Sequence, residues 1–286
     1  MITLTAQEIR AYLNRIGIVD IEAPTPTFLF ELHKAHVRAL SWQTVDIYGG
    51  KPASIDVKQS IALILGGRSG YCFHLNGAFS ALLHALGYDV SLHRAGVQPI
   101  GTEPRINSFH LGVLVRLMDK AWIVDVGLGD MPHEPLPLVY GTYGQAPYEY
   151  RVESSLVAPD GWRLAHDRDA SFVGVDFDPN VVEDIGIFKN NHHFYSTSKN
   201  SPWHNIFLLR NRDEKEGHEL RGCMWRKRDK DGFQMTELNQ KSHWLDVMAE
   251  QLGETLTHYN AIERDELWKR VREDHETWKK QKKQFI

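Results

Sequence analysis

Apolar residues recur at helical spacing along the first third of the chain. Thr5 and Glu8 have the arrangement of a capping box, and the apolar positions within residues 9–16 then line one face of a helix. Three more helices are predicted at about residues 28–40, 57–65 and 72–86. Gly17 and Gly87 follow the first and fourth of these, where a left-handed glycine commonly ends a helix. The first third is therefore predicted to be helical.

After residue 87 the pattern changes to short runs rich in valine, leucine and aromatic residues, which predict β-strands. These runs cover residues 88–97, 109–117, 122–126, 148–152, 162–165 and 172–175. Residues 118–120 are the predicted tight connection of an antiparallel hairpin. Helical patterns return at residues 244–252 and 265–281. Helices followed by strands indicate an α+β protein, and the regular turns suggest a β-barrel or sandwich.

Composition excludes several classes of protein. The 286 residues are 42% hydrophobic and 24% charged, as in ordinary globular domains, and the net charge is −4. A basic face for nucleic acid is not indicated, and no apolar run approaches the length needed to span a membrane. The N-terminus lacks the pattern of a signal peptide, and there are two cysteines. We therefore expect a cytoplasmic protein with reduced thiols. We expect no nucleic-acid or membrane partner, and the sequence is compatible with a homo-oligomer.

The glycine-rich stretch GGRSGYC, residues 66–72, is a candidate functional loop. A phosphate-binding Walker loop requires a lysine followed by serine or threonine, which this stretch lacks. A dinucleotide-binding loop follows a strand, whereas the residues before this one are predicted to be helical. The remaining interpretation is that the loop presents Cys72 as a nucleophile at the N-terminus of a helix, where the helix dipole favours a thiolate.

Two polar residues in apolar strands are candidate partners for Cys72. His110 is a candidate base, and Asp125 is a candidate group to orient its imidazole. The two lie on strands predicted to be neighbours. Pairing centred on Asp119 would place Asp125 opposite Val113, however, so a bulge or a strand end would have to bring the carboxylate to His110.

These residues resemble the active-site motif of the arylamine N-acetyltransferases, which has an arginine, small residues, a cysteine and an asparagine four positions later. Residues 68–76 follow this pattern, and further likeness covers residues 12–17, the His110 strand and residues 124–127. The resemblance implies Cys72 as nucleophile, His110 as base and Asp125 as the orienting acid. It also implies an N-terminal helical bundle (1–87), a central antiparallel β-barrel (88–195) and a C-terminal α/β lid (196–286), in a cysteine-protease-like arrangement.

The chain departs from the family pattern at several positions. Ser69 replaces a usual glycine, His74 a frequent glutamate, and residues 42–44 the usual Phe-Glu-Asn. Leu128 replaces a phenylalanine that commonly lines the acceptor pocket. These departures concern the range of acceptors and the detail of the loop.

The resemblance implies a ping-pong N-acetylation with acetyl-CoA as cosubstrate, an arylamine or hydrazine as acceptor, and no metal. Backbone N–H groups of Cys72 and of residues 126–127 are candidate oxyanion donors. Candidate substrate-binding residues are Trp42, Tyr71, Phe109, Gly127, Leu128, Gly129 and Trp203.

Three alternatives stay open at this point. An amide synthase of polyketide biosynthesis would have the same triad, and a papain- or transglutaminase-like thiol hydrolase also places a cysteine on a helix before a histidine on a strand. A metal-binding or interaction module is the non-enzymatic alternative, since His33, His36, His192 and His193 are potential ligands. Neither H-E-x-x-H nor paired C-x-x-C motifs are present, which disfavours metal.

Overall fold

A computed structural model describes residues 2–283, with the backbone alone at residues 282 and 283. Its N-terminal helices are α1 (Ala6–Ile16), α2 (Pro26–Ala39), α3 (Val45–Tyr48), α4 (Val57–Leu65) and α5 (Cys72–Ala85). The capping box is present, since the Thr5 side chain accepts from the Glu8 N–H while the Glu8 carboxylate accepts from the Thr5 N–H. Gly17 ends α1 with a positive φ of 84°, as predicted. The four helices expected from the apolar pattern are confirmed.

Helix α5 is the central element of the helical part. All of its residues from Cys72 to Leu83 are buried. A helix that is buried on every side is a core helix, and α5 packs against both α4 and the strands of the sheet that follows. Cys72 therefore begins a rigid element that is held on all sides.

Eight strands form an antiparallel sheet that curls into a nearly closed barrel. They are β2 (Asp89–Gln98), β3 (His110–Leu117), β4 (Lys120–Ile123), β5 (Leu136–Pro137), β6 (Gly141–Gln145), β7 (Tyr148–Ser154), β8 (Trp162–His166) and β9 (Gly174–Val181). Their order across the sheet is β5-β4-β3-β2-β9-β8-β7-β6. The strand predicted at residues 172–175 begins later and extends further, and β4 ends before residues 124–126.

The β3–β4 hairpin corrects the predicted strand register. Met118 and Asp119 both have positive φ (51° and 60°), as in a two-residue type I′ turn. Leu117 therefore lies opposite Lys120, one residue away from the pairing predicted around Asp119. A shift of one residue moves every side chain of a strand to the other face.

This register brings Asp125 to the face of His110. The Val124 N–H still donates to the Val113 carbonyl (2.9 Å), so the pairing continues past the end of β4. One further step places Asp125 across from Gly112, two residues from His110 and on the same face. The prediction that Asp125 lies opposite Val113 was wrong, and the β3–β4 pairing needs no bulge to connect the two side chains.

The C-terminal part combines a second sheet with helices. After a 3-10 helix (Ile185–Phe188), the elements are α6 (Lys189–Thr197), α7 (Pro202–Asn205), β10 (Leu208–Arg212), β11 (Gly217–Arg221), β12 (Met224–Asp229), β13 (Gly232–Glu237), α8 (Lys241–Leu252) and α9 (Ala261–Lys283). Strands β10 to β13 form an antiparallel sheet whose first strand is β1 (Trp42–Gln43), from the N-terminal part. The boundaries of the three predicted segments stay predictions.

The architecture confirms the predicted α+β class, with a helical bundle, a central antiparallel barrel and a C-terminal α/β lid. One hydrophobic core joins the helices to the barrel, and a second core lies in the C-terminal part. Within residues 2–283, no helix is long and apolar enough to cross a membrane.

Candidate active site

Cys72 is the first residue of α5, where backbone N–H groups lack acceptors within the helix. The side chain is 4% exposed, and its sulfur lies 3.7 Å from the Phe109 carbonyl oxygen. The loop before β3 thus closes over the sulfur, next to His110. The predicted position of the cysteine at the positive end of a buried helix is observed.

His110 and Asp125 form a fully buried pair. The imidazole Nε2 lies 2.6 Å from Asp125 Oδ2. The Nδ1 atom has no hydrogen-bond partner among the described residues. Since Asp125 occupies Nε2, Nδ1 is the ring nitrogen left for the Cys72 sulfur, and such contacts commonly tighten only when substrate binds.

The pair is arranged to be ionised. Burial by itself lowers the pKa of His110, but the Asp125 carboxylate and the Cys72 sulfur outweigh burial and raise this pKa to about 10. Burial likewise opposes the charge on Asp125. His110, Asn76 and the Gly127 N–H together hold the pKa of Asp125 below its ordinary value. The site therefore contains a cation beside the sulfur, as a reactive thiolate requires.

Asn76 is a supporting residue that the sequence did not identify as part of the site. Its Nδ2 donates to Asp125 Oδ1 (2.8 Å) and to the Leu111 carbonyl (2.5 Å), and its Oδ1 accepts from the Val126 N–H (2.9 Å). Asn76 lies one helical turn after Cys72, so α5 fixes both the nucleophile and the carboxylate. The spacing of four residues in the motif was the available signal.

The N–H groups of residues 126–127 are not free oxyanion donors, which corrects that expectation. Val126 donates to Asn76, and Gly127 donates to Asp125 Oδ1 at 2.8 Å. The Gly127 amide thus stabilises the Asp125 carboxylate directly, and the Val126 amide holds the Asn76 side chain that donates to it. The N–H of Cys72, at the helix start, remains the candidate donor.

Replacing Gly127 with alanine should disturb this arrangement. A Cβ atom there would lie 2.5 Å from Asn76 Nδ2 and 3.1 Å from Asp125 Oδ1, so both side chains would have to move. We expect the catalytic activity that depends on Cys72 to fall by roughly 10- to 100-fold in kcat/KM. Gly144→Ala is the matched control, because a Cβ there meets no atom within 4 Å. Equal activity of the two variants would contradict the packing argument.

Several aromatic side chains from the N-terminal part, the loop before β3 and the segment around α6 and α7 contact one another. Trp42 and Trp203 meet edge to face with ring centroids 5.1 Å apart. Tyr195 lies between Trp203 (5.9 Å) and Phe109 (4.3 Å). Burial, followed by the charge of Cys72, raises the pKa of Tyr195. Tyr195 was not predicted as part of the site.

The other candidate substrate-binding residues have different surroundings. Tyr71 is buried, and its hydroxyl lies 2.6 Å from His192 Nδ1. Leu128 is buried, with 9% of its surface exposed. Gly129 approaches β10, because a Cβ there would lie 2.0 Å from Arg210 Cβ and 2.8 Å from its carbonyl carbon. Gly129 thus allows close packing of the bend after Asp125 against the C-terminal sheet.

The departures in the loop are compatible with its conformation. Ser69 does not have a positive φ, so the backbone there does not require glycine. Gly70 is required for another reason, since a Cβ at this position would lie 2.7 Å from the His74 ring. His74 is buried, and burial lowers its pKa to about 4, so a neutral side chain fills the position where the family often has a glutamate.

Two of the histidines considered as metal ligands, His33 and His36, have ordinary hydrogen-bond partners. His33 Nδ1 lies 3.0 Å from the His133 carbonyl, and His36 Nε2 lies 3.0 Å from the Tyr12 hydroxyl. Within the described part of the chain, one group of potential ligands comes close together: Glu237, His275 and Glu276. The Lys279 ammonium is ion-paired with both of these glutamates, and a cation in this position competes with a metal ion.

Comparisons with known proteins define the class. A family model described as N-acetyltransferase matches residues 27–261. The arylamine N-acetyltransferase / N-hydroxyarylamine O-acetyltransferase of Salmonella typhimurium is 32% identical over 150 residues, which are 50% of this chain and 52% of that protein. Proansamycin X synthase of Amycolatopsis mediterranei is 33% identical over 155 residues, 48% of this chain and 56% of that protein.

The fold agrees with these matches. The crystal structure of Nocardia farcinica arylamine N-acetyltransferase superposes with a TM-score of 0.80 at 26% identity, covering 91% of this chain and 93% of that one. The chain spans about half the length of the curated relatives it matches. The family model covers most of the chain, and the protein belongs to the N-acetyltransferase family, as its cysteine motif predicted.

Proposed function

We propose that this chain transfers an acetyl group from acetyl-CoA to an arylamine or arylhydrazine through an acetyl-Cys72 intermediate. The supporting observation is the buried ion pair of His110 and Asp125 beside a cysteine at a helix N-terminus, in a member of the N-acetyltransferase family. Cys72 is the proposed nucleophile, His110 the acid and base, and Asp125 the group that orients the imidazole.

In the first half-reaction, the Cys72 thiolate attacks the thioester carbonyl and the new S–C bond forms. The N–H at the start of α5 is positioned to stabilise the oxyanion. As the intermediate collapses, the bond to CoA breaks, and the CoA thiolate takes the proton of the His110 imidazolium. The products are free CoA, acetyl-Cys72 and a neutral imidazole.

In the second half-reaction, the amine nitrogen attacks the acetyl-Cys72 carbonyl. His110, now neutral, accepts the proton that the amine loses, and the S–C bond breaks as the amide forms. Thiolate and imidazolium are regenerated. Trp42, Phe109, Tyr195 and Trp203 form the proposed apolar surface for the aryl ring, since flat ligands stack well on such side chains.

Amine-dependent release of CoA is the decisive measurement. The purified chain, incubated with acetyl-CoA and a panel of arylamines and arylhydrazines, should release CoA that a thiol reagent detects, and mass spectrometry should find acetyl-Cys72 when the amine is omitted. A thiol hydrolase would release CoA at the same rate without amine. If no amine stimulates release from the folded protein, acetylation of arylamines is not its function.

An amide synthase is the second candidate, because the identity to proansamycin X synthase, 33%, is close to the 32% identity to the Salmonella typhimurium acetyltransferase. Such an enzyme would load Cys72 from a longer acyl thioester and show little acetylation. Comparing the rates at which acetyl and long-chain acyl thioesters modify Cys72 separates the two candidates.

A further inference from the structure

The carboxylate of Asp46 is buried and accepts hydrogen bonds from four side chains. Its Oδ2 accepts from Arg68 Nη2 (2.7 Å) and from Gln43 Nε2 (3.2 Å). Its Oδ1 lies 2.6 Å from His258 Nε2 and accepts from the Tyr259 hydroxyl at 3.3 Å. We call these five residues the Asp46 network.

The Asp46 network is connected to the loop that precedes Cys72. Arg68 is anchored by its ion pair with Asp46. Gln43 Nε2 donates to the Ser69 carbonyl (3.0 Å), and the Gln43 N–H donates to the Gly70 carbonyl (2.9 Å). Three successive residues of the loop are therefore fixed just before the nucleophile.

One member of the Asp46 network comes from the C-terminal part of the chain. His258 follows α8 and lies 212 positions from Asp46 in sequence. Its ring meets the network through Nε2, while its Nδ1 has no hydrogen-bond partner among the described residues. Burial opposes the charge of Asp46, and the hydrogen bond from His258 is the largest of the effects that lower the pKa of this carboxyl group. Without His258, the buried Asp46 carboxylate would lose one of the main interactions that offset the cost of burying its charge.

We infer that His258 is a positioning residue that fixes the Cys72 loop through Asp46. The inference rests on the proposed function of Cys72. Loss of the His258 contact should let Asp46 turn toward solvent or rearrange around Arg68, and the carbonyls at residues 69 and 70 would then shift relative to α5. The sulfur would no longer face the His110 ring in the geometry that favours the thiolate. The C-terminal part would thereby control the reactivity of a nucleophile that belongs to the N-terminal helices.

His258→Ala and His258→Gln test this inference. The alanine variant removes the donor, whereas glutamine retains an N–H that can reach Asp46. The side chain of His258 is 18% exposed, so imidazole added to the alanine variant has access to the vacated position. His275→Ala is the control, because His275 is another buried C-terminal histidine beside a carboxylate, 3.1 Å from Glu237, and does not contact the loop.

Two rates are measured for each variant: alkylation of Cys72 by iodoacetamide, followed by peptide mass spectrometry, and amine-dependent release of CoA. We expect His258→Ala to slow both by roughly 10- to 100-fold, through kcat rather than the KM for the amine. Glutamine or added imidazole should restore a large part of the rate, and His275→Ala should react like the wild type even if its Tm falls.

Other results would overturn the inference. It fails if His258→Ala reacts like the wild type, or if His275→Ala slows both reactions as much as His258→Ala does. It also fails if neither the glutamine variant nor added imidazole restores the two rates. Wild-type protein that alkylates rapidly at Cys72 but releases no CoA with any amine would refute the proposed function instead. The alkylation rates of the variants would then still decide the role of His258.

Discussion

Replacing Cys72 with serine should abolish the proposed acetyl transfer, with a loss of about 10⁴-fold or more in kcat/KM. A serine hydroxyl is a far weaker nucleophile than a cysteine sulfur, and an imidazolium beside it does not make up this difference. Because serine is similar in size and Cys72 is surrounded by well-packed residues, the variant should keep the wild-type fold. Amine-dependent CoA release and the mass of the protein after exposure to acetyl-CoA are the measurements.

Cys223→Ser is the matched control. Cys223 is the other free cysteine, fully buried in the C-terminal core, and burial raises its pKa, as is typical of an unreactive thiol. Its sulfur lies 3.9 Å from the Val271 carbonyl, which a serine hydroxyl can also reach. Transfer should be nearly unchanged in this variant. Activity that depends on Cys223 and not on Cys72 would refute the assignment of the nucleophile.

The local elements near the site could be predicted from the sequence because short-range rules determine them. The capping box at Thr5 and the left-handed glycine at position 17 are signals within a few residues. The start of α5 at Cys72 was predicted in the same way, from apolar spacing and the glycine-rich loop before it. The chemistry of the motif then indicated the family, which the comparisons confirmed.

The contacts between distant segments could not be predicted in this way. The hairpin register depended on whether two or three residues form the turn, and that difference decides which face Asp125 occupies. Asn76 donates to Asp125 across 49 positions, and His258 meets Asp46 across 212. Apolar periodicity gives the face of an element but not its partner, so these contacts needed the three-dimensional structure.

Replacing Asp125 with asparagine should lower kcat by about 10⁴-fold, as the equivalent change does in serine-protease triads. Asparagine is nearly isosteric and retains an oxygen for the N–H of Gly127 and the amide of Asn76. It removes the anion beside His110, however, and its amide group can present a donor to Nε2. The imidazole would then favour the wrong tautomer and lose its charge. Transfer measured at saturating amine reports this loss, and a decrease below about 10-fold would show that His110 is oriented by other groups.

The same variant gives a test of ionisation that is independent of catalysis. In the wild type the pKa of His110 is raised from 6.5 to about 10, so its pair with Asp125 stabilises the fold fully below pH 6.5. This stabilisation is lost as the pH rises through about 10, because the folded imidazolium then gives up its proton. The pKa of Asp125 is lowered, so the carboxylate remains charged throughout this range.

The difference in Tm between wild type and Asp125→Asn should therefore be largest near pH 6 and should shrink toward pH 10. A difference that stays constant across this range would mean that the buried pair is not an imidazolium with a carboxylate, and the thiolate at Cys72 would lose its proposed cation.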